Sequence, residues 1–329
     1  MLALGLALLT RETTLIVLPV FAVYLATRIR SRSDKTRLVL VATTTIAVCL
    51  AGVAMWNAAR FGNVFATGYS GHLWTVSLVP GLYGLLLSPY KGLILYVPLT
   101  IIAFLSWPRF YRQWPTEALL CGGVVLVYLI VHAAYTDWPG GDNWGPRFLV
   151  PALPFLLFAL PFGWTRSPRW TAATVILCMA SLLVQLPAIY VSYARYYPMV
   201  GTWDDRALLR ITDHHPLLTP IVEQWRSVPV VTAHLRYGLP SASSDLTQKI
   251  SGQAVSTLPP HEVLRRSITV NVPDFWFVYL ALSGHLSRLL RLVVALLALA
   301  VLFSGLALGL ALRRAHPSPP DYESVVRTA

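Results

Sequence analysis

Apolar residues in this chain run in long unbroken blocks. They follow neither the three-to-four-residue stripe of a soluble helix nor the alternation of a half-buried strand. Seven blocks read as membrane-crossing helices: about 13–27, 38–56, 92–107, 117–134, 148–164, 170–191 and 292–312. The pattern predicts an all-α polytopic membrane protein with about 7 transmembrane helices. Two further apolar stretches resist that reading. Residues 73–90, LWTVSLVPGLYGLLLSPY, are interrupted by Pro80, Gly81, Gly84 and Pro89, which predicts a re-entrant or interfacial helix. Residues 275–291 open on aromatics and end on His285, Arg288 and Arg291, which predicts a helix lying along the interface with Trp276 and Tyr279 as anchors.

The polar connectors give an orientation. RIRSRSDKTR (28–37) carries five basic residues against one acid, and PRFYRQWP (108–115), TRSPR (165–169) and RRAH (313–316) are also basic. All four fall on one side if the spans alternate, which predicts that side as cytoplasmic. Segments 57–91, 135–147 and 192–274 are then extracytoplasmic in the cell membrane. The implied organisation is a transmembrane helical domain over 1–191 and an extracytoplasmic loop region over 192–274. An interfacial helix and last span follow over 275–312, then a cytoplasmic disordered tail over 313–329. Segment 192–274 has an ordinary soluble composition but is short for an independent core.

Composition supports the class. Of 329 residues, 56% are hydrophobic and 12% charged, about half the ~25% charged share of soluble domains. The net charge of +12 sits in the connectors, so topology accounts for it and no nucleic-acid partner is expected. Cys49, Cys121 and Cys178 lie inside apolar runs, which argues against disulfides and thiol metal sites. Met1 is followed by LALGLALLT with no basic leader, unlike a signal peptide.

Four polar constellations interrupt the apolar pattern. In TRET (10–13), Arg11 and Glu12 stand either at a wet joint between two helices or toward a partner or cavity. WNAARFGNVFATGYSG (56–71) places Asn57 and Arg60 about one helical turn apart at a membrane exit. Lys91, between Pro89 and the span at 92–107, suits snorkelling to headgroups or meeting a lipid-linked phosphate at the same depth. DWPGGDNWGPRFLVPALP (137–154) is the richest. Gly140 and Gly141 allow backbone N–H groups to converge on an anion. Arg147 would open a helix whose end already favours anions, and its planar fork of donors suits phosphate. Trp138 and Trp144 suit stacking on a sugar or lying at the interface. Asp137 and Asp142 suit a base, metal ligands or partners for Arg147. Their spacing is no metal motif, so no metal or other cofactor is expected. Asp204, Asp205, His214 and His215 read as ordinary surface groups.

Taken in order, N-x-x-R-F-G-x-x-x-x-T-G-Y (57–69), S-P-x-K-G-L-x-L-Y-x-P (88–98) and W-P-G-G-D-N-W-G-P-R-F-L-x-P-x-L-P (138–154) resemble bacterial membrane glycosyltransferases of the GT-C class, the protein-mannosyltransferase-like members. T-R-x-T at 10–13 and P-D-F-W-F at 273–277 extend the resemblance. It implies transfer of a sugar from a polyprenyl-phosphate carrier to an acceptor hydroxyl on the extracytoplasmic face. Arg147, Lys91, Arg60 and, more weakly, Arg11 would face the carrier phosphate. Trp138, Gly140, Gly141, Trp144 and Tyr69 would contact the sugar or shape the loop. The family's base is a carboxylate in an early outer loop. This sequence begins at what corresponds to the middle of the family, which implies a fragment, a misplaced start or a degenerate copy. The catalytic acid is then unassigned, with Asp137 and Asp142 as weak candidates. A lipid-linked-sugar transporter or a non-catalytic scaffold, with the cations anchored to membrane lipids, are the competing readings.

Overall fold

The computed structural model describes residues 2–29, 31–66, 74–163, 167–202, 204–237, 270–275, 278–279, 292 and 295–305. Among these the fold is all-α, with one isolated antiparallel bridge between Val191 and Pro273. The chain opens with α1 (Leu2–Thr10), a 3-10 turn (Glu12–Val17) and α2 (Leu18–Arg28), then the long α3 (Arg32–Phe61). Ser31 caps α3, accepting from the Asp34 amide, and Gly62 ends it in the left-handed conformation at φ 71°. After α4 (Leu78–Leu86) come α5 (Leu93–Tyr96), α6 (Thr100–Gln113) and α7 (Pro115–Ala133). A 3-10 turn (Arg147–Ala152) leads to α8 (Leu153–Leu157) and α9 (Leu160–Gly163), followed by α10 (Pro168–Tyr190). The remainder is α11 (Tyr196–Val200), α12 (Asp205–His214) and α13 (Pro220–Tyr237).

Three helices among the described residues are long and apolar enough to cross a membrane: Ser33–Phe61, Pro115–Ala133 and Pro168–Tyr190. They correspond to the expected spans 38–56, 117–134 and 170–191. The seven-span expectation is otherwise corrected. Block 13–27 divides into the 3-10 turn and α2, which starts at Leu18 with Pro19 in its first turn. Block 92–107 divides at Val97–Leu99, beside Pro98. Block 148–164, with Pro151, Pro154 and Pro161, becomes a 3-10 turn and two short helices. The reason is the missing amide of proline and its clash with the preceding turn, which hydropathy does not register. Of block 292–312, the structure describes Ala295–Gly305 as an apolar helix. The expected re-entrant stretch 73–90 holds the nine-residue α4 and a buried turn. Most of the expected interfacial helix, including Trp276, and the tail 313–329 lie outside the described residues.

Helices α2, α4, α6 and α8 all pack on α7, around a core that includes Leu85, Val124, Tyr128, Trp138 and Leu149. Small residues bring α4 this close. A Cβ at Gly81 would stand 1.9 Å from the Ala133 carbonyl oxygen, and one at Gly84 would stand 2.2 Å from the Trp138 ring. The segment expected as a loop after residue 191 is helical through Tyr237. Its core is shared, because Tyr193, Tyr196, Tyr197 and Leu208 enclose Tyr90 from the α4–α5 turn, with Trp144 against them. Arg195, itself buried, ties this unit together by donating to Ser227 Oγ (3.1 Å), Val270 O (2.9 Å) and Asn271 Oδ1 (3.1 Å).

Candidate functional site

The 137–147 loop is shaped by three glycines with left-handed backbone, Gly140 (φ 78°), Gly141 (φ 70°) and Gly145 (φ 63°). The residues predicted to gather an anion by N–H groups do the reverse. The Gly140 amide donates to Asp137 O at 2.9 Å. The carbonyls of Pro139 and Gly141 point inward and accept from Lys91 Nζ at 2.8 and 2.6 Å. The loop thus wraps a cation.

Lys91 is fully buried, not snorkelling to a membrane surface. Its turn is locked by Ser88 Oγ, which accepts from the Lys91 amide at 3.1 Å and donates to Gly84 O at 2.8 Å. The rings of Tyr90 and Tyr193 lie within 5.1 and 5.4 Å of the ammonium. Burial drives the Lys91 pKa down to about 8, against the opposing fields of Asp205, Asp142 and Asp137; Arg147 lowers it further. Two of the three N–H bonds of this lysine are therefore committed to the loop.

Asp205 was read from sequence as a surface charge. It is half-buried at the start of α12 and its Oδ1 accepts from Tyr90 Oη at 2.5 Å. Burial raises its pKa above the usual carboxylate range, with Tyr90 and Lys91 opposing. Asp204 caps α12 by accepting from the Arg206 amide. Of the weak acid candidates, Asp137 is half-buried and Asp142 is exposed. Among the described residues no group of three His, Cys, Asp or Glu gathers closely enough to hold a metal. His214 and His215 are exposed.

The other three cations form a second zone. Arg11 sits in extended backbone between α1 and the 3-10 turn (φ −156°). Its Nη1 donates to the Arg147 carbonyl at 3.4 Å. Both guanidinium groups lie over the Phe148 ring, at 5.5 Å for Arg11 and 5.0 Å for Arg147. Arg11 also lines a hollow of about 230 Å³ together with Glu12, Asn57 and Arg60. The one-turn spacing of Asn57 and Arg60 does put both on this hollow, with Asn57 buried and Arg60 exposed. Arg147 opens a six-residue 3-10 turn, not a long α-helix, so little macrodipole supports it. Its Nε is buried and meets no hydrogen-bond acceptor. Gly140 is packed against that side chain, since a Cβ there would stand 3.0 Å from Arg147 Nε.

The two tryptophans are held by the fold. Trp138 is in the core against Gly84, which leaves no open face for a sugar ring. Trp144 donates from Nε1 to Gln185 Oε1 (3.0 Å) and meets the Tyr96 ring edge-on at 4.9 Å. Tyr69 lies outside the described residues. Structure thus puts Arg11 and Arg60 on one hollow at the end of α3, joins Arg147 to Arg11 through its carbonyl and the Phe148 ring, and gives Lys91 to the loop. Asp205 and Arg195 are the polar residues that sequence reasoning missed. The available signal is the tyrosine-rich SYARYYP (192–198), which contains Arg195 and precedes Asp205. In comparisons with known proteins, no family model, no curated protein and no solved structure matches this chain.

Proposed function

We propose that this chain is the carrier-binding part of an integral membrane glycosyltransferase, one that moves a sugar from a polyprenyl phosphate to an acceptor hydroxyl on the extracytoplasmic face. The observation that carries the reading is the pairing of Arg11 and Arg60 on one hollow, with Arg147 next to Arg11 and bonded to it through its backbone carbonyl. Two cations against Glu12 leave the hollow net positive. The buried Nε of Arg147 lacks an acceptor, and a phosphate oxygen would supply one once the Gly140 turn that covers it shifts.

Chemistry follows from that arrangement. Cleavage of the sugar–phosphate bond returns negative charge to the carrier phosphate, and fixed cations in a poorly hydrated setting stabilise it. Proton removal from the acceptor requires a general base, which the resemblance implies is a carboxylate. Asp137, Asp142 and Asp205 are the carboxylates that share the field of Lys91. Lys91 acts here by holding the 137–147 loop that carries Arg147.

The test is binding of a short polyprenyl phosphate to purified protein, together with transfer from the corresponding glycosylated carrier. Arg11→Ala, Arg60→Ala and Arg147→Ala should each weaken binding by about tenfold or more, the worth of a charge-assisted hydrogen bond. Unchanged binding in all three would refute the proposal. Binding with movement of intact carrier across the bilayer and no transfer would replace it with a transporter.

A further inference from the structure

A groove of about 480 Å³ runs between α2 and the first half of α3, and its walls are almost wholly apolar. Leu18 and Leu25 from α2 face Leu38, Val39 and Ile46 from α3, and Lys35 stands at one end. The groove exists because the two helices have different partners: α3 packs chiefly on α1, while α2 packs on α7. We propose that it holds one acyl chain of an anionic glycerophospholipid, whose headgroup phosphate rests on Lys35.

Length favours this occupant. The wall from Lys35 to Ile46 covers roughly 17 Å of α3 at about 1.5 Å per residue. One leaflet contributes about 15 Å of a ~30 Å hydrocarbon core. Charge favours it as well. Lys35 belongs to the 28–37 segment with its five basic residues and one acid. Within that segment Arg28 is already ion-paired with Glu117, whereas Lys35 is exposed at the groove mouth. Clustered basic side chains at a membrane surface select anionic headgroups.

Position separates this lipid from the carrier. Arg60 lies on the same helix, roughly 38 Å beyond Lys35 at the same rise per residue. A phosphate at Arg60 and a phosphate at Lys35 therefore belong to opposite leaflets. The groove site stands whether or not the protein transfers sugars.

The experiment titrates delipidated protein in micelles with phosphatidylglycerol or phosphatidylcholine of equal chain length, and bound lipid is counted by native mass spectrometry. Wild-type protein should hold phosphatidylglycerol about fivefold more tightly, the effect of one basic residue near a headgroup. Lys35→Ala should remove that preference while keeping chain binding. Ala42→Phe, which narrows the groove, should weaken both lipids. Ala22→Phe on the facing wall serves the same purpose if the first variant does not fold. No headgroup preference in the wild type, or full binding with the groove narrowed, would overturn the proposal. So would a crosslink from a photoreactive residue at position 42 to polypeptide instead of lipid.

Discussion

Lys91→Met isolates the cost of burying one ammonium group. The folded protein holds this lysine at about 8, below its ordinary 10.5. That gap corresponds to about 3 kcal/mol favouring the neutral amine in the fold. Below pH 8 both folded and unfolded chains carry the proton, and the folded state bears the whole penalty. Between about pH 8 and 10.5 the unfolded chain binds more protons, so stability rises with pH. A neutral amine still has two N–H bonds for the carbonyls of Pro139 and Gly141, so deprotonation does not release the loop. Buried tyrosines act in the opposite direction. Burial pushes Tyr90, Tyr196 and Tyr197 above 10, so the unfolded chain ionises first and stability falls above that pH. Methionine keeps the aliphatic stem, loses the titration and strands the Pro139 carbonyl at about 1–3 kcal/mol, while the Gly141 carbonyl keeps the Asn143 amide. Denaturant unfolding of both proteins in one detergent, from pH 7 to 10.5, cancels the tyrosine contribution in the difference. The stability difference, wild type minus variant, should grow by about 3 kcal/mol across that range. A difference that stays flat would show that Lys91 is not desolvated and would refute the argument.

Other substitutions probe the packing and the loop. Gly84→Ala places a Cβ 2.2 Å from the Trp138 ring and should cost about 1–3 kcal/mol by overpacking; adding Trp138→Leu should recover part of the thermal midpoint. Gly140→Ala and Gly141→Ala form a matched pair, since both backbones are left-handed but only Gly140 touches Arg147. Each should lose about 1–2 kcal/mol from strain, while anionic-carrier binding should fall only for Gly140→Ala. Arg195→Met strands the acceptors at Ser227, Val270 and Asn271, so hydrogen exchange at 270–275 should accelerate at least tenfold relative to α7, consistent with about 1–3 kcal/mol per stranded group.

The long helices are legible in the sequence because α3, α7 and α10 contain uninterrupted apolar runs of span length. Blocks 13–27, 92–107 and 148–164 have the same composition but carry prolines at or beside the points where their backbone divides. Hydropathy weighs side chains, whereas a helix is kept by amides. The same division applies to the site. Asn57 and Arg60 are one turn apart, so local periodicity is enough to pair them. Lys91 was misjudged because its acceptors at Pro139 and Gly141 arrive from a distant loop. Asp205 meets Tyr90 across more than a hundred residues, a partnership that neither residue type announces.

The proline-divided helices also bear on how the protein is made. The three long helices satisfy nearly all of their own amides, with Pro187 near the end of α10 as the exception, and can each enter a bilayer singly. At the break between α5 and α6, the Tyr96 carbonyl accepts from the Gln185 side chain of α10 at 2.8 Å and the Leu99 amide donates to Ser181 Oγ of α10 at 3.1 Å, partners that hydrocarbon cannot replace. Those partners on α10, and α9 on which α6 packs, are synthesised after the break, so biogenesis of this region should proceed by release of a helix group instead of one helix at a time.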